Sequence, residues 1–221
     1  MTTLSALREE CEALSEALSQ LRASDFDRRT RCTEWDVKQL LGHIYRDVDR
    51  INEVVAGEEP VEATHDSATY FRYDIAKVSP GVDRRAKEAA AGFSTGADLV
   101  TAWNELWPAT LEAAAMTSPV RVVATWGPTL EFEEYLRTRV LEVTVHRMDL
   151  EDAFGRKCWG TDEAVGIVDE ILVDLLGKEP PHELDWDIID FIETGTGRRV
   201  LTEEEKELLG PRATKKFPLL G

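Results

Sequence analysis

Basic charge, cysteine and long apolar runs are all scarce in this sequence, and each shortage closes off a class of function. Against 43 Asp and Glu stand only 26 Lys and Arg, for a formal net charge of -17. Such a surface repels nucleic-acid phosphates and anionic lipid headgroups, so neither nucleic acid nor a membrane is expected as a partner. The acidity serves solubility, and an anionic substrate would need a local basic pocket to overcome it. The three cysteines, Cys11, Cys32 and Cys158, are too few and too scattered for a disulfide framework or a Cys-based zinc cluster. Cys11 falls within a leucine repeat and reads as core. Cys32, just before Trp35 at a helix start, and Cys158, in a basic loop, read as buried or bystander thiols. No apolar run is long enough to span a bilayer. The opening MTTLSALREECEAL has neither the basic region nor the continuous apolar core of a secretion signal, which predicts a cytoplasmic protein.

What the chain has in quantity is helical periodicity. Leu4, Leu7, Cys11, Leu14, Leu18 and Leu21 recur at alternating spacings of three and four and predict a first amphipathic helix. A second is expected over residues 36–55, with Thr33 or Asp36 as N-cap and a stripe running from Val37 to Val55. A third is expected over residues 97–116, capped by Ser94 or Thr95, with Pro108 predicting a kink or break after Trp107. Between them, residues 57–96 are less regular: Ser79-Pro80-Gly81 reads as a turn before a short helix over residues 83–91. Residues 120–125 and 129–132 flank Trp126-Gly127-Pro128 as a small hairpin. Residues 131–154, free of Gly and Pro, predict a long fourth helix. The remainder reads as a helix over residues 161–176 ended by Gly177, an apolar stretch at 185–191, a turn at 195–199, and a last helix capped by Thr202 and Glu205 and closed by Gly210-Pro211. The fold class is therefore mainly α: a four-helix bundle over residues 1–155, and a short, mostly helical C-terminal extension over 156–221 that packs on it.

The fourth helix carries the chemistry. Phe132, Leu136, Val143, Leu150 and Phe154 share one arc of the helix, and Leu141, Val145 and Met148 form a second patch that the C-terminal part is expected to cover. Glu142 and His146 sit beside the first arc, four residues apart, so they rise from adjacent turns and reach one point. A carboxylate and an imidazole aimed at apolar surroundings must be paired, neutralised or metal-bound; an ordinary side-chain contact and a ligand pair both satisfy that. His43 lies on the flank of the second helix, with Asp47 one turn further on. Bundles build metal sites from facing helices, and His43, Glu142 and His146 would together give two imidazoles and one carboxylate. That set suits zinc and leaves a coordination position open.

Two motifs carry a family resemblance. CTEWDVKQLLGHI, in which a Trp precedes a leucine-rich turn ending in His43, and RVLEVTVHRMDL, with Glu142, His146 and then Asp149, resemble the helix-two and helix-four signatures of DinB-like bundle proteins, specifically the mycothiol-dependent maleylpyruvate isomerase branch. The resemblance covers residues 1–155 and implies that fold, with His43, Glu142 and His146 as ligands of a divalent metal. It implies mycothiol, a low-molecular-weight thiol, as cosubstrate. The thiol would bind as thiolate and add to an electrophilic carbon of a small substrate, leaving again in an isomerase and staying attached in a transferase, with no protein nucleophile. Asp149 is then expected to orient a ligand, with Asp47 nearby in a similar supporting place. Arg139 would hold a substrate carboxylate or pair with Glu142 or Asp47, and Arg198 and Arg199 are candidate anion contacts. Residues 156–221 do not align with the isomerase's second domain, so the substrate stays open. Two alternatives stand beside this reading: a metal-dependent hydrolase that activates water without a thiol, and a non-enzymatic bundle that sequesters a small molecule or a partner.

Overall fold

Helix α1 (Thr3–Ser19) starts where Thr2 and Ser5 cap each other's backbone N–H groups, and it buries Leu7, Cys11, Leu14 and Leu18. These observations come from a computed structural model that describes residues 2–32 and 34–220. Helix α2 (Val37–Ala56) is capped by Asp36, whose side chain accepts from the Gln39 N–H while Gln39 bonds back to the Asp36 N–H. The alternative cap, Thr33, lies outside the described residues. Helix α3 spans Ile75–Ala91, and α4 spans Gly96–Ala115 behind a Thr95/Asp98 capping box. Each such box is worth about 1 kcal/mol, enough to fix where a helix starts.

Of the expectations about proline, the turn at Ser79-Pro80-Gly81 and the break at Pro108 are not met. Ser79-Pro80-Gly81 is not a turn, because α3 runs straight through it, and α4 continues through Pro108 without a break. In both helices packing outweighs the missing N–H: Ala86 and Ala90 of α3 are buried on α2, while Trp103 and Trp107 of α4 are buried and both donate to Ser15 Oγ of α1.

Strands β1 (Val122–Ala124) and β2 (Thr129–Glu131) form the expected hairpin, paired antiparallel with Val123 opposite Leu130. It feeds directly into α5 (Phe132–Asp152), the central element. Helix α1 packs on α4 and α5, and α2 packs on α3, α4 and α5. α1, α2, α4 and α5 thus make the four-helix bundle, with α3 as an outer layer on α2. The C-terminal part adds α6 (Asp162–Leu176), α7 (Ile188–Gly195) and α8 (Glu203–Thr214), the last interrupted at Gly210, whose φ of 76° only glycine adopts readily. α6 packs against α5 and α1 and buries Val168, Ile171 and Leu172 completely. Among the described residues no helix is long and apolar enough to cross a membrane.

Candidate metal centre

The i, i+4 spacing on α5 puts Glu142 and His146 side by side, and α2 brings His43 up to the same point. Glu142 Oε2 lies 3.3 Å from His43 Nε2 and 3.3 Å from His146 Nε2. The two imidazoles meet edge to face with centroids 4.8 Å apart, and Trp35 packs against His43 at 4.8 Å. Trp35 is fixed in turn by its indole N–H, which donates to Asp83 Oδ1 on α3 at 3.0 Å.

The proton inventory of this cluster decides what it is ready to hold. His146 Nδ1 is 3.0 Å from Asp149 Oδ2, a carboxylate with no solvent exposure. Asp149 accepts only, so Nδ1 carries the hydrogen and a neutral His146 turns the Nε2 lone pair toward Glu142. A lone pair and a carboxylate oxygen at 3.3 Å repel unless positive charge lies between them. In the metal-free protein a proton supplies it: burial opposes the charge, but hydrogen bonding with Asp149, Cys32 and Glu142 outweighs burial and holds the His146 pKa well above its ordinary value. Glu142 responds in the opposite sense. Burial would raise its pKa, yet hydrogen bonds from His146 and His43 pull it well below the carboxylate range. A divalent cation would satisfy the same three atoms. Separations near 3.3 Å match the edges of a tetrahedron whose bonds are about 2.0–2.1 Å long, the length expected for zinc with N and O ligands.

Behind the ligands lies a charge network that the sequence did not disclose. Arg31, from the loop before α2, donates to Asp149 Oδ1 at 3.2 Å and to Glu193 of α7 at 2.7 Å. Arg198, after α7, grips both Asp149 oxygens at 3.1 and 2.7 Å. Burial again opposes ionisation, but the bonds from His146 and Arg198 hold Asp149 far below its usual range. Cys32 Sγ also donates to Asp149 Oδ2, at 3.2 Å, and lies 3.8 Å from His146 Nδ1. Cys32, His146 and Asp149 thus form a second group of potential ligands. Asp149 is already saturated by two guanidiniums and an imidazole N–H, so that group reads as support for the first.

Asp47 bridges two parts of the site: Oδ2 is 3.2 Å from His43 Nε2 and Oδ1 is 3.2 Å from Arg139 Nη1. Arg139 is buried, pairs with Asp47 and lies over the Tyr135 and Tyr70 rings at 5.0 and 5.8 Å, so of its two expected roles the structure displays the pairing one. Arg199 does not reach the site. It is turned away onto Glu205, 2.8 Å, and the face of Trp186, so it is no anion contact for this cavity. Leu141, Val145 and Met148 are buried, and Leu141 and Val145 also line a cavity together with Leu220 of the C-terminal tail.

That cavity holds about 600 Å³, and His43, Glu142 and His146 are among the residues that line it. Its wall includes Tyr70 and Tyr73 from the segment before α3 and Trp126 from the hairpin turn. The sequence assigns these three aromatics no role at the site and reads Cys32 as a buried or bystander thiol. Only the last had a usable signal, its position three residues ahead of Trp35 within the motif.

Residues 7–151 match the family described as Mycothiol maleylpyruvate isomerase N-terminal domain. Among solved structures, the chain is similar to a variant of mycothiol-dependent maleylpyruvate isomerase carrying a histidine-to-alanine substitution. The TM-score is 0.57 and the identity 15%, over 77% of this chain and 68% of that one. This likeness is one of fold. No curated protein matches the chain in sequence.

Proposed function

Because the chain belongs to the mycothiol maleylpyruvate isomerase N-terminal domain family, we propose that it is an enzyme that uses a divalent metal, zinc by its donor set, and a low-molecular-weight thiol such as mycothiol to attack a small electrophile. The observation that carries this reading is the meeting of His43 Nε2, His146 Nε2 and Glu142 Oε2 in the wall of a cavity large enough for two small reactants. His43, Glu142 and His146 would hold the metal. Its contribution when bound is to lower the pKa of the thiol so that the cosubstrate is present as thiolate.

The protein's own groups do the rest. Asp149 keeps the hydrogen on His146 Nδ1 and so keeps Nε2 free, while Arg31 and Arg198 hold Asp149 still. Trp35 packs on the His43 ring, and Asp47, whose Oδ2 faces the same Nε2 that would bind the metal, would lie beside the metal. The aromatic wall and the buried position of the cluster exclude water from the nucleophile. In the reaction a C–S bond forms as the electrons of the electrophile's π bond move onto its activating carbonyl. Return of those electrons after rotation expels the thiolate and gives isomerisation, whereas protonation of the carbon leaves the sulfur attached. Tyr73 lines the same cavity, and burial, with Glu142 next in effect, raises its pKa, so its hydroxyl stays protonated and can donate a hydrogen bond there. The segment at 156–221 takes part as the source of Arg198.

Metal analysis by mass spectrometry is the test. We expect about one equivalent of divalent metal in the parent protein, lost in folded His43→Ala and Glu142→Ala variants, and thiol consumption with electrophiles that depends on that metal. Folded parent protein that takes up no zinc when supplied with it would overturn the proposal. Turnover of an ester or amide without thiol would replace it with hydrolysis.

A further inference from the structure

The two imidazoles of the candidate metal centre are held in different ways. His146 has a partner on each ring nitrogen: Nδ1 faces Asp149 at 3.0 Å, and Nε2 faces Glu142 at 3.3 Å. His43 does not. Its polar contacts among the described residues, with Glu142 at 3.3 Å and Asp47 at 3.2 Å, both fall on Nε2, the nitrogen that would bind the metal. With Nε2 turned to a metal, neither carboxylate can accept a hydrogen from it. A histidine ligand is ordinarily oriented through its other nitrogen, and the polar side chains around His43 leave that task undone.

A ring without such a bond can be held by its face. Trp35 lies against His43 with centroids 4.8 Å apart and planes tilted by 37°, and it also reaches His146 at 6.0 Å. The indole is 8% exposed. Its single donor, Nε1, is spent on Asp83 Oδ1 at 3.0 Å. A carboxylate that accepts from an N–H makes a stronger bond than a neutral oxygen does, so Asp83 sets the rotation of the indole. Asp83 also pairs with Lys87, one turn further along α3, at 2.7 Å. Because α3 is pressed onto α2 at Gly42, the residue before His43, the acceptor is anchored beside the ring that depends on it.

We propose that Trp35 is the positioning residue for His43, as Asp149 is for His146, and that Asp83 sets Trp35, so that α3, which supplies no ligand, governs how the metal is held. The effect on metal rests on the reading of His43, Glu142 and His146 as ligands; the orientation of the His43 ring does not. The test therefore has one arm without metal and two with it. The chain has four histidines, so the imidazole C–H signals of His43 in a proton–carbon NMR spectrum are assigned by their loss in His43→Ala. On EDTA-treated protein these signals are expected to carry a ring-current displacement from Trp35 that shrinks in Asp83→Ala and returns in Asp83→Asn, whose amide oxygen still accepts from the indole. Zinc affinity, measured against a chromophoric chelator, should fall about tenfold in Asp83→Ala and return to near the parental value in Asp83→Asn. The visible spectrum of the cobalt(II)-loaded protein, which reports the arrangement of ligands around the ion, should change in the first variant and recover in the second. Lys87→Met breaks the ion pair on α3 but leaves the indole bond, and should match the parent in all three. Should Asp83→Ala fail to fold, Trp35→Phe keeps an aromatic ring without the N–H and is expected to give the same loss of zinc affinity.

His43 signals and zinc affinity that stay unchanged in Asp83→Ala would overturn the proposal. So would failure of Asp83→Asn to restore them, or an equal loss in Lys87→Met, which would assign the effect to the stability of α3. A parent protein that takes up no zinc, but whose His43 signals move with Asp83 as described, would sink the metal reading and leave the positioning of His43 by Trp35 standing.

Discussion

Asp149 governs the candidate site without lying next to the substrate. It is fully buried and answers three cationic or proton-donating groups, His146, Arg31 and Arg198, besides the Cys32 thiol. Asp149→Asn keeps the volume but removes the charge and offers an amide N–H₂ to groups that can only donate. Arg198 then lacks its counter-ion while Arg31 keeps Glu193 and Asp152, and breaking a buried pair in this way costs about 3–5 kcal/mol. His146 loses the acceptor that fixes its tautomer, and the loss of such an outer partner typically weakens metal binding about 10- to 100-fold. We therefore expect Asp149→Asn to unfold at lower urea and, where folded, to lose zinc to a chromophoric chelator at a correspondingly lower chelator concentration. Unchanged zinc affinity would mean that His146 is oriented by something else. His43→Ala should separate the two effects, abolishing metal binding while leaving the Asp149 network in place.

Legibility at this scale followed sequence distance. Glu142 and His146 share one helix, and periodicity alone places them together; Asp149, on the same helix, enters through the motif resemblance. His43 requires two helices to face each other, which the four-helix bundle reading supplies. Arg31 and Arg198 reach Asp149 from 118 and 49 residues away, and no local pattern encodes such a meeting. Arg198 and the adjacent Arg199 were equivalent as letters; the turn after α7 points one at Asp149 and the other at Glu205.

Among the elements, α2 and α3 form the closest pair. Gly42 is the reason: a Cβ there would sit 2.8 Å from Ala90 N and 2.9 Å from Ala86 O. Both are backbone atoms of a helix and cannot swing aside. Gly42→Ala gains about 1 kcal/mol of helix propensity, but forcing two helices apart typically costs about 1–3 kcal/mol, so the clash should prevail. Because α3 carries Arg85 and the Asp83 that anchors Trp35, a displaced α3 also disturbs the cavity wall. The expected outcome is a lower urea midpoint with an unchanged slope. A more stable variant would show that α3 adjusts freely. This contact also explains why α3 was misread. Pro80 and Gly81 are strong local signals for a turn, yet Ala86 and Ala90 are small enough to let α3 settle onto Gly42, and the packing gained outweighs the lost hydrogen bond. Periodicity served better on α1, α2 and α5, where a continuous stripe of Leu, Val and Ile left no competing local signal.

For the whole molecule, the question is whether residues 156–221 are an appendage or part of one folding unit. The contacts favour one unit. α6 buries seven apolar residues, among them Val168, Ile171 and Leu172 with no exposure. At about 1.5–3 kcal/mol per fully buried aliphatic side chain, that interface is comparable with the net stability of a typical domain, about 5–15 kcal/mol. Polar commitments run the same way. Glu10 of α1, fully buried, accepts from Arg147 at 2.6 and 3.1 Å and also from the Thr161 N–H, and Asp149 depends on Arg198. A fragment ending at residue 155 would expose the α5 surface beneath α6 and strip both buried carboxylates of a donor. We expect it to lose cooperative unfolding in urea, followed by far-ultraviolet circular dichroism, and to bind no zinc, although His43, Glu142 and His146 are all retained. A fragment that unfolds cooperatively and holds zinc with parental affinity would make the bundle self-sufficient and reduce the extension to a wall of the cavity. The design matters for the chemistry: with Arg198 supplied from outside the bundle, the segment that closes the cavity also sets the orientation of His146, so the site is complete only when the whole chain is folded.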